Sequence, residues 1–174
     1  VKSNGNIQVL VESLIVGFGG FKGNFYTEII VGPGMYERKI EHGIVILATG
    51  AKEYIPSEYL YGEDDRVMTQ IELAKQIEFK GADDLKRVVM IQCVGSRNEE
   101  RPNCSRVCCQ TAVKNAIHVK DLNPETDVWV LYRDIRTYGL IEDYYTEARR
   151  KGVKFSRFSM DEPPNVESSD DGLF

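Results

Sequence analysis

The strongest constraint on this chain is a cluster of cysteines within residues 93–109, a stretch that holds all four cysteines of the protein. Their spacing is C-x10-C-x3-C-C, which places them at Cys93, Cys104, Cys108 and Cys109. An apolar run typical of a strand, at residues 88–91, precedes the cluster, and a helical pattern that begins near Ser105 follows it. Four thiols at a junction between a strand and a helix can hold a metal ion or an iron–sulfur cluster.

The composition favours a metal or redox site over a framework of disulfides. The chain has 174 residues, 42% of them hydrophobic, which suits one compact domain or two small lobes without disulfide staples. A net charge of −5 provides no basic excess that would attract nucleic acid or an anionic membrane. The longest apolar runs, such as residues 44–49, are far too short to span a bilayer, and the N-terminus has no signal-peptide pattern. We therefore expect a cytoplasmic protein that binds neither nucleic acid nor membrane.

The N-terminal part of the chain predicts an antiparallel meander followed by a buried strand. Three strands are expected at residues 6–16, 25–31 and 35–40, separated by glycine-rich turns. Residues 44–48 form a continuous apolar run, which is typical of a strand buried on both faces. This run ends in Ala48-Thr49-Gly50-Ala51, whose small side chains allow a ligand or a loop to approach the backbone closely. The same residues would also suit a tight buried turn.

The second half of the chain predicts a parallel α/β domain. Thr69 and Glu72 have the spacing of a capping box, and the helix that they start should run to about Lys80. Strands and helices then alternate, which predicts a parallel sheet with right-handed crossovers. The strands are expected at residues 88–92, 127–132 and 153–158, and the helices at residues 105–122 and 140–151. The acidic remainder predicts a polar tail.

These patterns place the chain in the α/β fold class. We expect a Rossmann-like parallel sheet with flanking helices, similar to FAD- and NAD(P)-binding domains, and an N-terminal antiparallel β-meander. The predicted division is into residues 1–68, which hold the meander and the apolar strand, residues 69–160, which hold the cysteines, and a tail or linker at residues 161–174.

The cysteines occupy the place where a dinucleotide-binding domain would have its glycine fingerprint. Only Gly95 could serve as one of those glycines. An iron–sulfur cluster carries negative charge, which the N-terminus of a helix favours as it favours phosphate. Cys104 and Cys108 are expected to face the same way across the first helical turn, with Cys109 pointing elsewhere. Nearby arginines would raise the reduction potential of a cluster, or form ordinary surface ion pairs.

Other interpretations of the same residues remain open. Structural zinc usually takes two C-x2–4-C pairs, which the adjacent Cys108 and Cys109 fit poorly. A thiol–disulfide centre is possible although C-x-x-C is absent, and buried cysteines can simply pack as small hydrophobic residues. Separately, the segment Arg133-Asp134-Ile135-Arg136 could bind the ribose or 2′-phosphate of a nucleotide, or form ion pairs at the edge of the sheet.

Several motifs closely resemble the A subunit of heterodisulfide reductase. They are C-V-G-S-R-x(6)-C-S-R-V-C-C-x(3)-V-K-N-A-I, then V-x-V-L-Y-R-D-I-R-T-Y-G, together with I-L-A-T-G-A-K-E-Y-I-P-S-E-Y-L-Y-G-E-D, and they span about residues 44–158. The resemblance implies a thioredoxin-reductase-like core that binds FAD, several [4Fe–4S] clusters, and a place in a cytoplasmic complex with other subunits. It also implies an FAD-dependent oxidoreductase of the pyridine nucleotide–disulfide type, which passes electrons between a [4Fe–4S] cluster and FAD.

The resemblance also implies roles for individual residues. The implied cluster ligands are Cys93, Cys104, Cys108 and Cys109, and the implied FAD contacts are Ala48, Thr49, Gly50 and Ala51. The chain lacks the G-x-G-x-x-G that holds the FAD pyrophosphate in this family, so we expect an internal piece of a longer protein, inactive alone. Its expected partners are the rest of the parent chain and the other subunits. The alternative is a non-catalytic Rossmann-like interaction domain with a structural zinc site.

Overall fold

The computed structural model describes residues 3–169 and 172–173. Contacts between residues divide the chain into two units, residues 1–52 and 53–174. This division places residues 53–68 with the second unit, whereas the division predicted from the sequence places them with the first. Among the described residues, no helix has both the length and the apolar character needed to cross a membrane.

The first unit is a three-stranded antiparallel meander, as predicted. Its strands are β1 (Ser13–Phe21), β2 (Asn24–Val31) and β3 (Tyr36–His42), in the order β1-β2-β3. β1 begins later than predicted and continues through the glycine-rich stretch that was expected to end it. The pairing of β1 with β2 shifts register between Ile15 and Gly17. Such an irregularity allows a strand that contains glycines to continue.

The predicted strand at residues 44–48 is wrong. Residues 44–50 have no regular secondary structure, and their apolar side chains are exposed, Ile46 to 86%. A strand forms only beside another strand that accepts and donates its backbone hydrogen bonds, and none of the described strands pairs with this run. Ala48, Thr49, Gly50 and Ala51 consequently do not end a buried strand.

The second unit is an α/β domain around a parallel sheet. Its main elements are α1 (Gln70–Lys80), β4 (Arg87–Ile91), α2 (Cys108–Leu122), β5 (Asp127–Tyr132), α3 (Glu142–Arg150) and β6 (Lys154–Arg157), and its short C-terminal strands are β7 (Ser168–Ser169) and β8 (Gly172–Leu173). The sheet order is β4-β5-β6 with parallel pairing throughout, so the predicted fold class is confirmed. β7 and β8 form a small antiparallel pair.

The helix α2 supplies the largest share of the core. Its residues Ala112, Val113 and Ala116 are almost fully buried and belong to the same apolar cluster as Val128 and Val130 of β5. The helical stripe predicted for α2 is thus largely confirmed. On the opposite face of the sheet, Val89, Trp129 and Leu131 line an open groove, so these strands bury one face rather than both.

The helix α1 begins with the predicted capping box. The backbone N–H of Glu72 donates to Thr69 Oγ1 at 3.3 Å, and the backbone N–H of Thr69 donates to Glu72 Oε2 at 2.7 Å. Gly81 ends the helix with a left-handed backbone (φ 76°). The buried side chain of Asn115 fastens α2 to α1 because its Nδ2 donates to the Gln70 carbonyl oxygen at 2.9 Å.

Candidate metal centre

Cys93 lies just beyond the carboxyl end of β4, where the sequence predicts it. The pairing of the sheet extends one residue past β4, since the Gln92 N–H donates to the Leu131 carbonyl oxygen at 2.9 Å. Cys93 then adopts a left-handed backbone (φ 67°), and the Ser96 N–H donates to its carbonyl oxygen at 3.2 Å. This turn directs the chain off the end of the sheet and starts the loop of residues 94–107.

The helix α2 begins at Cys108, later than the sequence predicts. Arg106 has a left-handed backbone (φ 63°), which a right-handed helix cannot contain. Cys104 therefore lies in the loop, and the predicted pairing of Cys104 with Cys108 across one helical turn is wrong. The Cys104 sulfur instead accepts the backbone N–H of Arg106 at 3.3 Å.

The structure places Cys93, Cys108 and Cys109 near one another. The Cys108 sulfur lies within reach of the Cys109 side chain and of the backbone N–H of Cys93. Cys109, expected to point elsewhere, is 2% exposed, and its sulfur lies 3.7 Å from the carbonyl oxygen of Asp134. All four cysteines are free thiols.

These contacts separate the acidities of the adjacent thiols. The hydrogen bond from the Cys109 thiol, with weaker ones from the Ser105 hydroxyl and the Cys93 N–H, lowers the pKa of Cys108 to about 5 despite its burial. The pKa of Cys109 is raised because its proton is held by Cys108 and because the residue is buried. Cys108 is therefore the more acidic of the two adjacent thiols, and the thiolate is the form of cysteine that binds metals.

The segment after β5 forms ion pairs with the cysteine loop, which is one of the two interpretations that its sequence allows. Arg97 Nη2 donates to Asp134 Oδ2 at 2.7 Å, and Arg97 Nη1 lies 3.9 Å from the Cys93 sulfur. Arg157 Nη2 lies 3.5 Å from the other carboxylate oxygen of Asp134. The pKa of Asp134 is lowered, mainly by the hydrogen bond from Arg97.

An arginine-rich cleft of about 360 Å³ adjoins the cysteine loop. Its lining residues are Arg97, Pro102, Asn103, Cys104, Arg106 and Arg136. Cys104 is the one cysteine in this lining, so the cysteine site opens to the cleft at Cys104. Within the described part of the chain, Arg106 and Arg136 form no ion pair, which leaves positive charge at the cleft.

The cysteine side chains do not form a ready-made cluster site in the described part of the chain. Among the described residues, no three or more histidine, cysteine, aspartate or glutamate side chains are already arranged to hold a metal ion. Cys93, Cys108 and Cys109 nevertheless interact with one another, and backbone N–H groups point at the sulfurs. Cys104 lies outside the helix, on the loop that connects Cys93 to α2. Four thiols are the type and number of donors that a [4Fe–4S] cluster requires.

Sequence reasoning missed the contact that supports the turn after Cys93. The ring of Tyr54 packs so closely on Gly95 that a Cβ at this position would overlap it. The Arg101 guanidinium lies over the same ring, 4.6 Å from its centroid. No local sequence pattern links Tyr54 and Arg101 to Gly95.

Comparison with known proteins is consistent with the predicted family. The chain is 42% identical to the A subunit of the H2:CoB–CoM heterodisulfide, ferredoxin reductase of Methanothermobacter thermautotrophicus over 139 residues, which cover 70% of this chain and 21% of the relative. It is 40% identical to the iron–sulfur A subunit of the CoB–CoM heterodisulfide reductase of Methanocaldococcus jannaschii, and the match again covers 70% of this chain and 21% of the relative. The chain is homologous to the A subunit of heterodisulfide reductase. The resemblance predicted from the cysteine motif is therefore confirmed.

The similarity concerns one segment of the relatives. The A subunit of a ferredoxin:CoB–CoM heterodisulfide reductase from Methanosarcina acetivorans is 35% identical over 158 residues, which cover 66% of this chain and 20% of the relative. The chain thus spans about a fifth of the length of these relatives. No family model matches the chain.

Proposed function

We propose that this segment of a heterodisulfide-reductase-like oxidoreductase holds a [4Fe–4S] cluster and passes electrons between that cluster and FAD in the parent protein. The observation that carries the proposal is the grouping of Cys93, Cys108 and Cys109 where β4 ends and α2 begins. Cys104, on the adjoining loop, would complete the four thiolates. The name of the Methanocaldococcus jannaschii relative, an iron–sulfur subunit, supports a cluster in the parent.

The residues around the cysteines would each favour the charge of a bound cluster. When bound, the cluster supplies one-electron chemistry. The N-terminus of α2 faces the site through Cys108 and Cys109, and its free N–H groups favour negative charge. Arg97 adds a cation next to Cys93. The burial of Cys109 excludes water on one side, whereas Cys104 opens on the cleft.

The flavin belongs to the same proposal. Residues 48–51 would contact FAD in the parent protein, which would belong to the pyridine nucleotide–disulfide oxidoreductases. The other subunits of a heterodisulfide-reductase-like complex would be its partners, in the cytoplasm. The relatives are named as subunits, which supports a place in such a complex.

The test is anaerobic reconstitution with iron and sulfide, followed by metal and acid-labile sulfide analysis. We expect equal amounts of iron and sulfide and a broad absorbance at roughly 400 nm, as for a cluster with thiolate ligands. Cys108→Ser should lose most of this absorbance because a serine hydroxyl is a poor replacement for a thiolate. Ser159→Ala, an exposed serine outside the site, is the control.

Two results would contradict the proposal. Unchanged iron, sulfide and absorbance in Cys108→Ser would remove Cys108 from the ligands. Stoichiometric zinc without sulfide in the unaltered protein would instead support the interaction domain with a structural zinc site.

A further inference from the structure

We propose that Arg97 and Asp134 form a charge pair that sets the reduction potential of the cluster held by the cysteines. Asp134 positions the Arg97 guanidinium beside the Cys93 sulfur and partly neutralises it. This inference rests on the proposed function and assigns roles to two residues that are not cluster ligands.

The Arg97 guanidinium lies between a carboxylate and a cysteine sulfur. It reaches both groups at once, with Nη2 2.7 Å from Asp134 Oδ2 and Nη1 3.9 Å from the Cys93 sulfur. The side chain of Arg97 is 17% exposed, so solvent screens its charge much less than that of a surface arginine. A cation held at this distance favours the more negative, reduced form of a cluster bound through Cys93.

The backbone of the loop is built to hold Arg97 in this place. Cys93, Arg97 and Arg106 all have left-handed backbones, which non-glycine residues adopt only when their surroundings compensate the strain. Part of that compensation comes from the segment after β5, since Arg133 Nη1 donates to the carbonyl oxygen of Arg97 at 2.8 Å. Such strained positions concentrate at functional sites.

Asp134 connects both cysteine-bearing segments. Its carboxylate holds Arg97 beside Cys93, and its carbonyl oxygen lies 3.7 Å from the buried sulfur of Cys109. Parallel pairing of β4 and β5 brings these groups together, because Cys93 and Asp134 follow neighbouring carboxyl ends of the sheet. The other cation near Asp134, Arg157, has a side chain that is 72% exposed and therefore contributes a weaker, screened charge.

The two charges of the pair are expected to act in opposite directions. Arg97→Gln removes the cation and should lower the midpoint potential of the cluster. Asp134→Asn keeps a carbonyl oxygen that can accept from Arg97 but removes the anion, so the potential should rise. A merely structural role would not give shifts of opposite sign. In the double variant Arg97→Gln/Asp134→Asn, the two opposite shifts should partly cancel. Its midpoint potential should therefore lie near that of the unaltered protein.

The experiment is a dye-mediated redox titration of the reconstituted protein, followed by electron paramagnetic resonance, with iron and sulfide measured on each sample. Arg87→Gln is the control, because Arg87 is an exposed arginine at the opposite, amino end of β4 and should not shift the potential. Loaded variants whose potentials equal that of the unaltered protein, or shift in the same direction, overturn the inference while the proposed function stands.

Variants that load poorly are also decisive. Arg97→Lys keeps the positive charge, but a single ammonium group cannot contact Asp134 and Cys93 through two separate nitrogen atoms as the guanidinium does. The midpoint potential of the cluster in Arg97→Lys should therefore lie between the potentials of the unaltered protein and of Arg97→Gln. If Arg97→Gln, Arg97→Lys and Asp134→Asn all lose the cluster with unchanged circular dichroism, the pair only holds the loop and the inference fails. Absence of iron and sulfide from the unaltered protein would reject the proposed function itself.

Discussion

At the scale of single residues, the turn after Cys93 depends on Gly95. This glycine is buried with a left-handed backbone (φ 64°), and the Tyr54 ring occupies the space where a Cβ would stand. A side chain at Gly95 therefore meets two obstacles, backbone strain and a steric overlap. The loop that carries Cys104 and Arg97 starts from this turn, so its shape depends on a contact with a residue that is distant in sequence.

Gly95→Ala should destabilise the protein by about 2–5 kcal/mol, which sums the cost of a left-handed alanine and the cost of overpacking. Gly62→Ala is a matched control because Gly62 is also left-handed (φ 83°) but has open space around its Cα. We expect about 1–2 kcal/mol there, from backbone strain alone. Chemical denaturation measures both, and equal losses for the two variants would show that Tyr54 does not confine Gly95.

At the scale of elements, the two helices that flank the site are set by different signals. A complete capping box starts α1, whereas the residue before α2, Val107, provides no capping side chain. The start of α2 is instead set by the left-handed backbone of Arg106, and its first residues are Cys108 and Cys109. Helix ends that no side chain caps leave N–H groups free for another acceptor, and the Cys108 sulfur lies near one of them.

The capping box of α1 should make stability depend on acid. Accepting the Thr69 backbone N–H lowers the pKa of Glu72 below its ordinary value of 4.5. Because the folded-state pKa is the lower one, this stabilisation is present above pH 4.5 and is lost as the pH falls through the folded-state value. Glu72→Gln should therefore lower the free energy of unfolding at neutral pH. It should also make the free energies of unfolding at neutral and acidic pH more similar.

Chemical denaturation of Glu72→Gln at about pH 7 and about pH 3 checks this dependence. Glu78 is an exposed glutamate of the same helix, so Glu78→Gln is the matched control. It should not appreciably change the free energy of unfolding at either pH. Thr69→Ala should cost about 1 kcal/mol at neutral pH, since it removes the other half of the box. A Glu72→Gln variant with the acid sensitivity of the unaltered protein would contradict the assignment.

At the scale of the whole molecule, two surfaces remain open in the structure. The apolar run at residues 44–47 is exposed, and the face of the parallel sheet that carries Val89 and Trp129 is uncovered by the described helices. Parallel sheets are normally covered on both faces. The chain spans about a fifth of its relatives, so such surfaces are consistent with a segment that packs against more protein.

Limited proteolysis tests the exposure of the apolar run at residues 44–47. Leu47 is 84% exposed in a stretch without secondary structure, whereas Leu73 of α1 is 6% exposed. Chymotrypsin should cut after Leu47 early and leave Leu73 intact, because cleavage requires an extended, accessible backbone. Mass spectrometry of the first fragments identifies the sites. Equal protection of Leu47 and Leu73 would mean that the run is covered in solution.

The sequence alone determined the features that depend on neighbouring residues. Alternation of strands and helices predicted the parallel sheet, the spacing of Thr69 and Glu72 predicted the cap of α1, and the apolar run before Cys93 placed that cysteine at a strand end. The sequence motifs also indicated the resemblance to the A subunit of heterodisulfide reductase, which the comparison with known proteins supports. In each case the physical cause lies within a few residues.

Only the tertiary structure decided which groups meet. A continuous apolar run predicts a buried strand, but residues 44–48 have no described strand beside them to complete their hydrogen bonds. The position of Cys104 outside α2 follows from the left-handed backbone at Arg106, which helical spacing does not reveal. The pairing of Arg97 with Asp134 depends on β4 and β5 lying in parallel, and this register brings together residues that are distant in sequence.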